Sequence, residues 1–131
     1  LNNNGSLLII LAHLIRSSHR WRGAEVHIHM LVKNPEAKEK VQANLEKMIA
    51  GFRIKAHTHV RSFGDESFET ILHETSTSAD LVLLGLKKPE TGTSYEQYYQ
   101  RITELSDPLP MTLFIHASEN MPFEEVLISE D

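Results

Sequence analysis

Two hydrophobic periods alternate along this chain, and their alternation restricts the fold more than any other feature. Ala24 to Val32 puts Val26, Ile28 and Met30 on one side and His27, His29 and Leu31 on the other, the two-residue period of a strand. Asn34-Pro35 then reads as the cap and first position of a helix, where proline's missing N–H costs nothing. Ala37, Val41, Leu45, Met48 and Ile49 form its apolar stripe, and Gly51 is expected to end it. Phe52 to Val60 alternates again, with Ile54, Ala56, Thr58 and Val60 opposed to Arg53, Lys55, His57 and His59. A strand so polar on one side suits a sheet edge or a thin cover. Gly64-Asp65 turns into a third helix carrying Phe68, Ile71, Leu72 and Thr75, with Asp65 expected as its cap. Leu81 to Leu86 is a short unbroken apolar run, the pattern of a central parallel strand buried on both faces. After a loop over Pro89 to Gly92, Thr93 and Glu96 match a capping box for a helix bearing Tyr95, Tyr98, Tyr99, Ile102 and Leu105. Asp107-Pro108-Leu109-Pro110 stops it, Met111 to His116 is a further strand, and a last short one is expected around Glu125 to Ile128.

Strands alternating with helices imply crossover connections and a parallel sheet. The expected fold is therefore α/β, a three-layer α/β/α arrangement with a mostly parallel sheet, forming a single domain over 1–131. The first element does not fit a free-standing version of that plan. Leu7 to Ile15 is apolar on almost every face, preceded by helix-starting Asn4 or Ser6 and followed by the polar Arg16 to Arg20 and by Gly23. A helix apolar all round is a buried helix. With no strand before it, the expectation is that a strand lies upstream of Leu1 and that the chain begins inside a larger protein.

Composition narrows the class of function. Hydrophobic residues at 40% and charged residues at 24% suit a globular chain rather than a disordered one. A formal charge of −5 argues against a nucleic-acid binder, which concentrates basic residues on one face. The absence of cysteine excludes a disulfide framework, a thiolate metal site and a cysteine nucleophile. The longest apolar run, Leu7 to Ala12, is far short of the roughly 20 residues of a bilayer span. The Asn-rich opening lacks a basic-then-apolar segment, so an intracellular domain is expected.

Several groups of residues invite a chemical reading. His27 and His29 alternate on one strand, and His57 and His59 on what the topology makes its parallel neighbour. In matched register the four imidazoles would share a face within metal-binding reach. Against that, no carboxylate is expected on the same face, Lys55 and Arg53 would repel a cation, and polar side chains beside an edge strand need no metal. The segment Gly85 to Ser94 leads from a strand into a helix, where an anion could bind, yet neither G-x-x-x-x-G-K-[ST] nor G-x-G-x-x-G is met. Asp65-Glu66 with Glu69, or His73-Glu74, could form an acid–base pair, but cap and solvated-helix roles explain them, and no G-x-S-x-G or H-E-x-x-H occurs. Tyr95, Tyr98 and Tyr99, surrounded by Glu96, Gln97 and Gln100, point to an interface, and Trp21 to packing against the end of the first helix. No catalytic, cofactor-binding or metal residue is expected, nor any cofactor.

Taken in order, these stretches resemble a known family. Asn4-Gly5-Ser6-Leu7-Leu8-Ile9-Ile10-Leu11-Ala12-His13-Leu14-Ile15, then Trp21-Arg22 and Glu25-Val26-His27-Ile28, is similar to the cytoplasmic C-terminal domain of cation-chloride cotransporters, where an N-G-G-L-x-L-L-x-x-x-L-L helix leads to W-(R/K) and a strand. Phe52-Arg53-Ile54, Ser78-Ala79-Asp80-Leu81-Val82-Leu83-Leu84-Gly85-Leu86 and Leu109-Pro110-Met111-Thr112-Leu113-Phe114-Ile115 continue the likeness, which spans about Asn3 to Ile128. The resemblance implies the second of two α/β subdomains similar to universal stress proteins, with its first strand just upstream of Leu1. It further implies a regulatory, homodimer-forming, non-catalytic role on the cytoplasmic side of a membrane transporter that moves Na+, K+ and Cl− together. The long insertions of animal members are missing between Val60 and Ser78, and the strand ending at His116 lacks the family's usual Arg, so a compact prokaryotic member fits best. The alternatives are a nucleotide-binding domain like the universal stress proteins and a His-dependent metal-binding domain.

Overall fold

Apolar stripes of period two and period 3.6 do become strands and helices in this chain. The computed structural model describes residues 3–86 and 89–116, which form α1 (Asn3–Ser17), β1 (His27–Val32), a short 3-10 turn (Pro35–Ala37), α2 (Lys38–Gly51), β2 (His57–Ser62), α3 (Phe68–Ser76), β3 (Val82–Gly85), α4 (Tyr95–Ser106) and β4 (Thr112–Ile115). The expected strand around Glu125 to Ile128 lies outside the described residues. β1 pairs in parallel with β2, and β3 in parallel with β4, giving two short two-stranded sheets. The chain is thus mixed α/β, and it divides into two compact units, one running up to Asp65 and the other over Glu66–His116.

In the first unit the β1-α2-β2 segment is a strand–helix–strand crossover. Ile28, Met30 and Val32 of β1 and Val60 of β2 turn to one side, where Leu45 and Ile49 of α2, Ile9 of α1 and Ile54 complete the core. Leu45, 1% exposed, is its most enclosed side chain. A hydrogen bond of 2.6 Å from Gln42 Nε2 to Thr58 Oγ1 ties α2 to β2 beside this core. α1 departs from expectation. Ile9 and Ile10 are buried, but Leu14 is 53% exposed, so the helix docks one side rather than being enclosed all round.

The element ends follow local hydrogen bonding more than the apolar pattern does. Asn34 caps as expected, its Oδ1 accepting from the Glu36 N–H at 3.0 Å. α2 ends at Gly51 as expected, but the glycine does not supply the left-handed turn residue. The Arg53 N–H donates to Ala50 O at 3.1 Å and the Ile54 N–H to Ile49 O at 3.1 Å, a Schellman turn whose left-handed residue is Arg53, at φ 57°. That turn uses up Phe52 to Ile54, which is why β2 begins at His57 and not at Phe52. β1 likewise begins late, because Ala24 is held in a turn to Trp21 O at 3.0 Å, with Gly23 at φ 87°.

The second unit joins β3 to β4 through α4. Ser67, not Asp65, caps α3, its hydroxyl accepting from the Thr70 N–H at 3.1 Å. The capping box of α4 is Ser94 with Gln97, one position after the expected Thr93 and Glu96. Thr93 is withdrawn because its N–H closes a turn onto Glu90 O at 3.0 Å, next to Gly92 at φ 93°. His73 Nε2 lies 2.9 Å from Leu105 O and links α3 to α4. Ile71 and Val82 are buried, while the remaining residues of β3 are half-buried, so the both-faces burial expected of this run is met only in part.

Candidate functional site

On a parallel pair of strands, residues in register lie side by side at the strand spacing of about 4.8 Å, and every second side chain shares a face. His27 is in register with His57 and His29 with His59, so all four histidines rise from the face of the β1–β2 pair opposite the core. All four are exposed. Their rings stack: His27 on His57 with centroids 4.7 Å apart and planes at 20°, His29 on His59 at 4.6 Å and 13°. The diagonal pair His27 and His59 stands at 5.4 Å. The register that the sequence left conditional is therefore present.

A carboxylate joins them, contrary to the expectation that none would. Glu25 lies two residues before His27 on the same side of the chain, and its Oε2 is 3.3 Å from His27 Nε2. The strand as read from sequence already contained Glu25, and counting the two-residue period one step upstream of His27 would have found it. The other nitrogen of His27, Nδ1, is 3.1 Å from His59 Nε2. The tautomers follow from this network. An ionised Glu25 only accepts, so His27 Nε2–H donates to it, leaving Nδ1 to accept from His59 Nε2–H. Glu25, His27 and His57 offer ligand atoms that all lie within 4.8 Å of one another.

The surroundings of His29 disfavour an added proton there. His29 has a pKa held below the ordinary 6.5, first by desolvation and then by the charges of His59 and His27. Its side chain is exposed by surface area, so the desolvation is partial and the neighbouring imidazoles add to it. Lys55 is exposed and shares the parity of His57 and His59, as expected, and Arg53 is taken up in the helix-ending turn. Beside the start of the two strands, a shallow groove of about 440 Å³ includes Arg16, Glu25, Lys55 and His57 in its lining.

The Nε2 of His73 is engaged with Leu105 O at 2.9 Å. Asp65, Glu66 and Glu69 are exposed near the start of α3. In the segment from Gly85 to Ser94, the Ser94 hydroxyl already accepts from the Gln97 N–H at 3.2 Å, while Lys87 and Lys88 lie outside the described residues. Tyr95 and Tyr99 are 84% and 72% exposed and Tyr98 is half-buried. Among the described residues no helix is long and apolar enough to cross a membrane. Comparison with protein-family models, with curated proteins and with solved structures finds no significant match.

Proposed function

We propose that the chain is a non-catalytic, cytoplasmic regulatory and dimer-forming module of a cation-chloride cotransporter, attached to a membrane part that moves Na+, K+ and Cl−. What supports this reading is where the resembling blocks fall. The apolar Asn4–Ile15 block lies in α1, and Glu25–Ile28, Ser78–Leu86 and Leu109–Ile115 each run into or along a strand, while Phe52–Ile54 falls in the turn that ends α2 instead of opening β2. A likeness confined to composition would have no reason to track the helix-to-strand junctions. The three-layer architecture similar to universal stress proteins belongs to the same proposal.

Such a module acts by coupling. It biases the transporter only if it packs or associates differently in the transporter's conformational states, since equal contacts in both shift nothing. The test starts with the gene. A series of hydrophobic spans of about 20 residues encoded upstream of Leu1 is expected. In that full-length protein, deleting the segment 1–131 should alter ion flux or self-association. Unchanged flux, dimerisation and folding after the deletion, or a gene without such spans, overturns the reading.

A further inference from the structure

We propose that Glu25, His27 and His57 form a binding site for a divalent transition cation of the Zn2+ class at the start of the β1–β2 pair, with His59 as the hydrogen-bond partner that orients His27. The proposal is independent of the transporter reading. Metal–ligand bonds of about 2.0–2.1 Å in a tetrahedral arrangement put neighbouring ligand atoms about 3.3–3.4 Å apart. The Glu25 Oε2 to His27 Nε2 separation is 3.3 Å, so this edge already has the required length. The corresponding atom of His57 is at most 4.8 Å from either, and an exposed ring closes that gap by rotating about its own side-chain bonds. Three protein ligands leave the fourth position to water.

The donor set decides the class of ion. Imidazole nitrogens with a carboxylate, in a chain without cysteine, suit Zn2+, Ni2+ or Cu2+ and not the all-oxygen preference of Mg2+ or Ca2+. The outer contact is also of the right kind. A ligating histidine normally has its second nitrogen held by a hydrogen bond, and His27 Nδ1 has His59 Nε2 at 3.1 Å. On metal binding the two rings exchange tautomers together. His27 presents its Nε2 lone pair to the metal and donates from Nδ1–H to His59 Nε2, whose own proton moves to Nδ1. Both imidazoles stay neutral and no net proton is released. Two cations line the adjoining groove: Lys55 is exposed on a long flexible stem that can carry its ammonium into solvent, and the Arg16 guanidinium donates to Lys55 O at 3.4 Å, with the Glu25 carboxylate offsetting them.

The full chain, expressed without a polyhistidine tag and stripped with EDTA, is titrated with ZnCl2 by calorimetry, with MgCl2 as the comparison. The expected result is one Zn2+ per chain with a raised Tm, and no response to Mg2+. His27→Gln and His57→Gln should each weaken binding at least about tenfold, and His59→Gln by about 10–100-fold. His13→Gln on α1 should leave it unchanged. Nitrogen NMR of the imidazoles supplies a measurement on the unmodified chain: the His27 and His57 rings should shift on adding Zn2+, and His59 should change tautomer. No heat with ZnCl2, undiminished binding by the His27 and His57 variants, or His27 and His57 nitrogens that do not move would overturn the proposal.

Discussion

Arg53 carries a left-handed backbone, φ 57°, without the glycine that such a position favours. The penalty for an L-residue there is about 1–2 kcal/mol, and the neighbouring Gly51 does not relieve it because the turn is built two residues later. Arg53→Gly should therefore stabilise the chain by about 1 kcal/mol, less the entropy glycine adds to the unfolded state, as read by denaturant unfolding; a loss of stability would show that the Arg53 side chain contributes more than its backbone costs. His29 gives a prediction in pH. Its folded-state pKa is depressed, so near its ordinary 6.5 the unfolded chain binds more protons than the folded one. Stability then falls as pH drops through about 6.5 and on toward the folded pKa. In the EDTA-treated chain, Tm should decline between about pH 7.5 and about pH 5.5, and His29→Gln should flatten part of that decline. An equal slope in the variant would remove His29 as its source. At this scale the sequence was only partly read: the four histidines were visible by their spacing, and the same two-residue period carried one step upstream reaches Glu25, but only the folded side chains show that its carboxylate meets His27.

At the scale of elements, type and order were legible and end points were not. The apolar stripe of α2 and the two-residue period of β1 and β2 depend on which residues face the core, and that pattern survives folding. Helix and strand ends depend on which N–H reaches which acceptor. Thr93 and Ser94 are equally good caps in sequence, and the Gly92 turn decides between them. The same applies to Asp65 and Ser67 at α3. Ser94→Ala should accordingly cost about 1 kcal/mol by removing the acceptor for the Gln97 N–H. Thr93→Ala, whose hydroxyl takes no part in the box, should cost less, and the two values come from parallel thermal unfolding. An equal cost would return the cap to Thr93.

For the molecule as a whole, self-association is the property that the proposed function demands. Exposed aromatic rings among polar neighbours are enriched at protein interfaces, and α4 presents Tyr95 and Tyr99 in that setting. Combined Tyr95→Glu and Tyr99→Glu should shift the sedimenting species from dimer toward monomer with unchanged circular dichroism; a dimer untouched by both charges would place the contact elsewhere. A single sheet was the expectation from the alternating periods, whereas the described strands form two separate parallel pairs. Periodicity reports which residues face inward within each strand and carries no information on which strands are neighbours. That division has a practical corollary. Both partners of each strand pair lie on the same side of Gly64-Asp65-Glu66, an exposed stretch with Gly64 at φ 58°. A protease nick between these residues would sever no ladder among the described strands, so each fragment would carry both members of its own described strand pair.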